Sequence, residues 1–130
     1  MIYLDSSALV KLVLTEAETP ALVGWLTARA DLPMVSSIIH RTEVPRAVWR
    51  ADPSALARSY RQVRGVERVA LSPDVLDTAA ALPPLSLRSL DAIHLASALS
   101  VRRDLEAFVA YDNRLLAAAG QAGLPTASPR

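Results

Sequence analysis

An α/β sandwich around a mostly parallel sheet of four to five strands is the fold class this sequence predicts. Two observations carry that expectation. Short apolar runs alternate with longer segments of helical periodicity from one end of the chain to the other, as expected when a helix follows each strand and returns the chain for a parallel neighbour. At 130 residues, with no internal repeat, low-complexity tract or linker-like stretch, the chain has room for one buried core and not for two ordinary ones. Residues 1–130 are therefore expected to form a single domain.

IYL at residues 2–4 reads as a short buried strand ending on Asp5, with Ser6 and Ser7 placed to cap the helix SALVKLVLTE. A second helix is expected over TPALVGWLTAR, where Pro20 falls in the tolerated first turn. MVSS at 34–37 is a short strand leading into the helical stretch IIHRTEVPRAVWR. There Pro45 removes a backbone donor, which predicts either a kink or a fresh start capped by Thr42. Asp52 and Pro53 open the helix PSALARSYRQVRG, and Gly65 is placed to stop it. VERVAL reads as a strand and SPDVLDTAAAL as a capped helix. After the loop PPLSLRS, the helix SLDAIHLASAL is expected with Ser89 as its N-cap. AFVAY at 107–111 is an apolar strand running into Asp112 and the helix NRLLAAAGQAG, and LPTASP adds a last short strand.

Hydrophobic residues supply 52% of the chain and charged ones 21%, a globular composition that argues against extensive disorder. Only 5% are aromatic, so the core must be mostly aliphatic. The absence of cysteine excludes disulfides, thiolate metal sites and cysteine nucleophiles. MIYLD has no basic leader, and no charge-free run approaches the roughly 20 residues needed to cross a bilayer, so a soluble, cytoplasmic protein is expected. The net charge is +1, too small to gather nucleic acid over the whole surface. Between residues 41 and 68, however, seven arginines (41, 46, 50, 58, 61, 64 and 68) face only Glu43, Asp52 and Glu67. Such a local patch can contact phosphates, although a charge run is more often a solvated helix face.

Four carboxylates stand out. Asp5 and Asp112 each directly follow an apolar strand and precede a helix. In an open parallel sheet all such positions lie along one edge, where ligands bind; each could equally be only a helix cap. From its helix alone, Glu43 reads as an exposed ion pair with Arg46, worth less than about 1 kcal/mol. Asp91 lies beside the apolar stripe of Ala92, Leu95, Ala96 and Leu99, and its ordinary role would be an acid in the helix's first turn. If the four converge, repulsion of roughly 4 kcal/mol for each pair about 4 Å apart at an effective dielectric near 20 calls for a cation. Oxygen ligands without cysteine suit Mg²⁺ or Mn²⁺, and the chemistry that fits is phosphodiester hydrolysis, with the metal activating a water and neutralising charge in the transition state.

With these acids aligned, the whole chain resembles a PIN-domain ribonuclease, above all the VapC-type toxins of VapBC toxin-antitoxin systems. YLDSSALVKL resembles the family's opening strand, first acid and following serine; TEV with Arg46 its second acidic motif; LDAIHLASAL its third; and FVAYDNRL its fourth. The resemblance implies a three-layer α/β/α sandwich and a Mg²⁺- or Mn²⁺-dependent endoribonuclease. It implies Asp5, Glu43, Asp91 and Asp112 as catalytic residues, with Asp5, Asp91 and Asp112 holding metal and Ser7 supporting that shell. It also implies a homodimer, a cognate VapB-type antitoxin whose tail enters the active-site groove, and a cellular RNA substrate, often tRNA or rRNA. Arg46 is the expected substrate contact, since its fork suits phosphate.

Two departures bear on that reading. Many relatives carry Thr or Ser two residues before the fourth acid, where this chain has Ala110, and Pro45 follows Glu43 closely enough to move it. His94 is expected to be a packing residue and no more. Trp25 and Trp49 can stack bases but are expected in the core or a dimer contact. Two alternatives are an RNA-processing nuclease without an antitoxin and a catalytically silent binding module. A phosphoacceptor receiver domain fits poorly, because Asp5 is followed by two serines and the only lysine is Lys11.

Overall fold

A computed structural model describes residues 1–130. Its elements run β1 (Ile2–Leu4), α1 (Ser6–Lys11), α2 (Thr19–Thr27), β2 (Met34–Ser37), α3 (His40–Ala51), α4 (Leu56–Arg64), β3 (Glu67–Val69), α5 (Pro73–Ala81), α6 (Ser89–Ser100), β4 (Ala107–Val109), α7 (Asn113–Gln121) and β5 (Thr126–Ala127). Single 3₁₀ turns at Pro53–Ala55 and Arg102–Asp104 precede α4 and β4. The sheet is parallel throughout, in the order β3-β2-β1-β4-β5. Both the alternation and the five strands agree with the sequence reading.

Strand periodicity divides the core in two. Ile2 and Leu4 of β1 and Ala107 and Val109 of β4 join Leu9, Leu22, Val44, Val48 and Val63 beneath α1 to α4. Tyr3 and Phe108, one position out of phase, join Val35, Leu95 and Leu115 beneath α6 and α7. With helices on both faces, β1 and β4 are buried along their whole length, which is why they read as continuous apolar runs and not as alternating ones.

The strand order fixes where a site can form. From β1 the chain moves outward to β2 and β3, then returns across the sheet to β4 and continues the other way to β5. The topological switch therefore falls between the neighbours β1 and β4, and a crevice opens at their carboxyl ends. Asp5 follows β1 and Asp112 lies just beyond β4.

Four local expectations need correction. Helix α1 stops at Lys11 instead of running to Glu16: the chain turns back so that Glu16 and Glu18 both reach the Lys11 ammonium, and the Thr19 hydroxyl donates to the Lys11 carbonyl. The cap of α1 is Asp5, whose side chain accepts from the Ala8 amide, and not Ser6 or Ser7. Helix α3 is one segment through Pro45, with Thr42 inside it and not capping it. Burial of Pro45 with Val44 and Val48 offsets the donor lost at one turn. Ser89 is the first residue of α6, the N-cap being Arg88 without a side-chain bond.

Candidate active site

Asp5 is nearly buried, at 5% exposure. Its Oδ1 accepts from the Ser7 hydroxyl at 2.6 Å and from the Ala8 amide at 3.0 Å. Ser7 Oγ in turn accepts from the Tyr111 amide at 3.0 Å, so one hydroxyl ties the end of β1 to the backbone beside Asp112. Burial pushes the Asp5 carboxyl above its ordinary value; His94 and the bonds from Ser7 and Ala8 oppose that shift, and the charge of Asp91 adds to it.

Asp112 caps α7, its Oδ1 accepting from the Arg114 amide at 2.8 Å and the Leu115 amide at 3.0 Å. Both strand-end acids are thus caps, and each commits only Oδ1 to that role. Capping and ligand binding are compatible here, because the second oxygen of each receives no protein hydrogen bond.

Glu43 enters from α3, in the helical layer above the first core. The ion pair with Arg46 does not form. Its Oε1 instead accepts from Ser6 Oγ at 2.9 Å and lies 2.7 Å from His94 Nε2. Burial alone would raise this carboxyl, but the hydrogen bond and the positive edge of His94, with Ser6, outweigh it and hold Glu43 below its usual range.

Asp91 projects from the first turn of α6, on the opposite helical layer. No protein donor reaches it. Burial raises its carboxyl, and the charges of Asp112 and Glu43 raise it further, against weaker opposition from His94 and Arg88. Asp91 and Asp112 together line a polar cleft of about 60 Å³ with Arg88 and Arg114. Ser6, Ser7, Glu43, Arg46 and Arg50 share a separate groove of about 350 Å³. Asp91 and Asp112 line the cleft and Glu43 the groove, while buried Asp5 lines neither; Asp5 feels the charge of Asp91, and Asp91 those of Asp112 and Glu43, although no three His, Asp or Glu side chains are gathered into ligand geometry.

That arrangement suits a hard divalent ion. Mg²⁺ keeps several waters and needs only one or two protein carboxylates besides substrate phosphate, and uncommitted oxygens on Asp5, Asp91 and Asp112 are of the right kind. Burial raises the carboxyls of Asp5 and Asp91, and each also feels a neighbouring carboxylate, a repulsion that a cation would relieve.

Ala110 is fully buried, in the same apolar cluster as Tyr3, Leu95 and Leu115, and the hydroxyl that touches the end of β4 is that of Ser7. Trp49 is 55% exposed and lies outside the core; Trp25 packs against the first core and carries the Arg29 guanidinium 3.9 Å from its ring centre. The arginine run divides: Arg46 and Arg50 face the site groove, while Arg58 and Arg61 line a separate one on α4.

The sequence did not point to Tyr3, Arg88 or Arg114, gave Ser6 only as a helix cap and Arg50 only as part of the basic run, and gave His94 as a packing residue, which its burial bears out while its polar partners add to it. The ring of His94 is 2% exposed and bonded on both sides, to Glu43 and Ser6 through Nε2 and to Tyr3 through Nδ1. One signal was available: a histidine inside an otherwise apolar helix needs polar partners, and Asp91 is only three residues away.

The PIN domain family model matches residues 2–121. The chain is 42% identical over 132 residues to Ribonuclease VapC47 of Mycobacterium tuberculosis (strain CDC 1551 / Oshkosh), covering 99% of this chain and 97% of that protein. It is 40% identical over 131 residues to Ribonuclease VapC35 of M. tuberculosis (strain ATCC 25618 / H37Rv), with coverage of 99% and 97%. To Ribonuclease VapC46 of the same strain it is 41% identical over 128 residues, with 98% and 97% covered.

Proposed function

The chain belongs to the PIN-domain family and, within it, to the VapC-type ribonucleases, and from that premise we propose how its residues divide the work. The protein is an endoribonuclease that hydrolyses RNA phosphodiester bonds as the toxin of a VapBC pair, and a cognate VapB-type antitoxin neutralises it. Mg²⁺ or Mn²⁺ is its cofactor. A bound divalent ion supplies a Lewis acid for the attacking water and the phosphate.

The observation that supports this reading most is Asp91, which no protein donor reaches and whose carboxyl is raised by burial and by the charges of Asp112 and Glu43, with Asp5 at the end of β1 feeling Asp91 in turn. Asp5 and Asp112, through the oxygen each leaves free of its cap, and Asp91, which has no protein donor, would hold the metal. Glu43, kept ionised, is the proton acceptor facing the groove. Ser7 orients Asp5. Arg46, with Arg50 one turn on, grips backbone phosphate. The substrate is a cellular RNA such as tRNA or rRNA.

We place the protein in the cytoplasm, where both its RNA and its antitoxin are made; no helix is long and apolar enough to cross a membrane. It acts as a homodimer, supported by exposed leucines on and beside α5 and α6, where Leu76, Leu85 and Leu90 are 42%, 104% and 48% exposed.

The test is expression in a bacterial host, with and without the small protein encoded beside this gene. Growth arrest relieved by that partner, and cleavage of RNA that the co-purified complex no longer performs, is the expected result. Unaffected growth would indicate a processing nuclease, and no cleavage with any divalent ion would indicate a silent module.

A further inference from the structure

We propose that His94, braced by Tyr3, is a positioning residue that holds Glu43 toward the RNA groove, an inference that rests on the ribonuclease reading of that groove. Three hydrogen bonds in series connect the sheet to the carboxylate. The Ser37 amide donates to the Tyr3 hydroxyl at 2.9 Å, Tyr3 lies 2.9 Å from His94 Nδ1, and His94 Nε2 lies 2.7 Å from Glu43 Oε1. The line starts on β2, passes through β1 and α6, and ends on α3, so it joins the two helical layers across the end of the sheet.

Proton placement gives the line a direction. Glu43 is held ionised and can only accept, so Nε2 carries the proton between them. The Tyr3 phenol, fully buried, has one hydrogen to donate. The Ser37 amide uses one lone pair of that oxygen and leaves the phenol's own hydrogen free to point at Nδ1. Glu43 thus faces an Nε2–H donor, and the partner on the second nitrogen holds the ring in the orientation that presents it. Packing holds its plane: Tyr3 meets His94 edge-on at 85° and stacks on Phe108 at a centroid distance of 5.2 Å. With Ser6 as a second donor, Oε1 is fixed and Oε2 is uncommitted, on a residue that lines the groove.

A ring that only filled space would be replaceable by anything of similar volume. A positioning residue is replaceable only by one that keeps the donor. His94→Gln offers an amide N–H near the place of Nε2, whereas His94→Asn retains a polar contact with Tyr3 and loses the reach to Glu43. Misplacement of a reacting group by about 1 Å is worth up to about 100-fold in rate. His94→Asn is accordingly expected to lower kcat by about 10- to 100-fold with KM changed less than about threefold, and His94→Gln to recover most of kcat.

The second readout needs no activity. Nitrogen-15 spectra of the wild-type imidazole at neutral pH should show Nε2 protonated, with a shift that changes on Glu43→Gln. Unchanged kcat in a folded His94→Asn variant would overturn the proposal, as would an unprotonated Nε2 or a signal indifferent to Glu43→Gln. If the wild type cleaves no RNA, the ribonuclease reading falls separately, while the nitrogen signal still decides whether His94 holds Glu43.

Discussion

Replacing Asp91 by asparagine should stabilise the metal-free protein while abolishing its activity. Asp91 takes no hydrogen bond from the protein, so the change removes a charge and little else. Burial and the charge of Asp112 raise its carboxyl. A carboxyl raised in the fold contributes stability that is fully present below the ordinary aspartate range and lost as pH rises through its folded value. At pH 7 in EDTA the ionised form is therefore a liability. Two carboxylates about 6–8 Å apart repel by about 2–3 kcal/mol at an effective dielectric near 20. Partial exposure and salt reduce that to about 1 kcal/mol. The first turn of α6 returns about 0.5 kcal/mol, and the burial penalty outweighs it, as the upward direction of the shift requires. A net gain of about 1 kcal/mol, against an unfolding entropy of about 2.1 cal/mol/K per residue, raises Tm by about 4 °C.

Magnesium should reverse the order. An ion at about 100 times its Kd stabilises the wild type by about 2.7 kcal/mol, and Asp91→Asn should gain far less. Thermal unfolding of both proteins, in EDTA and in saturating Mg²⁺, reads all four values. An asparagine variant that melts lower than the wild type in EDTA, or that gains as much from Mg²⁺, would refute the reasoning.

Asp112→Asn keeps an effective cap for α7, so its Tm should stay within about 2 °C while RNA cleavage falls sharply; a large stability loss would mean that the carboxylate is structural. Ser7→Ala leaves the Tyr111 amide without its acceptor and should cost about 1–3 kcal/mol in denaturant unfolding, with kcat reduced as Asp5 loses a donor. Arg46→Ala and Arg50→Ala should raise KM and leave kcat nearly unchanged, each lowering the slope of log KM against log salt by about one; unchanged slopes would remove these side chains from the RNA path.

Strands and helices were legible because each leaves a local mark. IYL and MVSS are the observed strands residue for residue, and Asp5 and Asp112 could be set on one edge because parallel strands share their carboxyl ends. What escaped were choices made by distant partners. Helix α1 ends early because of Glu16, Glu18 and Thr19 beyond it. Helix α3 passes through Pro45 because burial of its neighbours outweighs one missing hydrogen bond. The role of His94 depends on Tyr3, ninety-one positions away in the chain, and on Glu43, fifty-one away; no periodicity within α6 encodes either. Arg88 and Arg114 likewise meet only once α6 and α7 lie beside the same strand ends.

The most direct measurement is cleavage of purified cellular RNA by the wild type, Asp5→Asn and Asp91→Asn, each with Mg²⁺ or Mn²⁺ and again with EDTA. Cleavage by the wild type alone, stopped by EDTA, with both variants folded and inactive, is the predicted result. Full cleavage by both variants would contradict the assignment of this crevice as the catalytic centre.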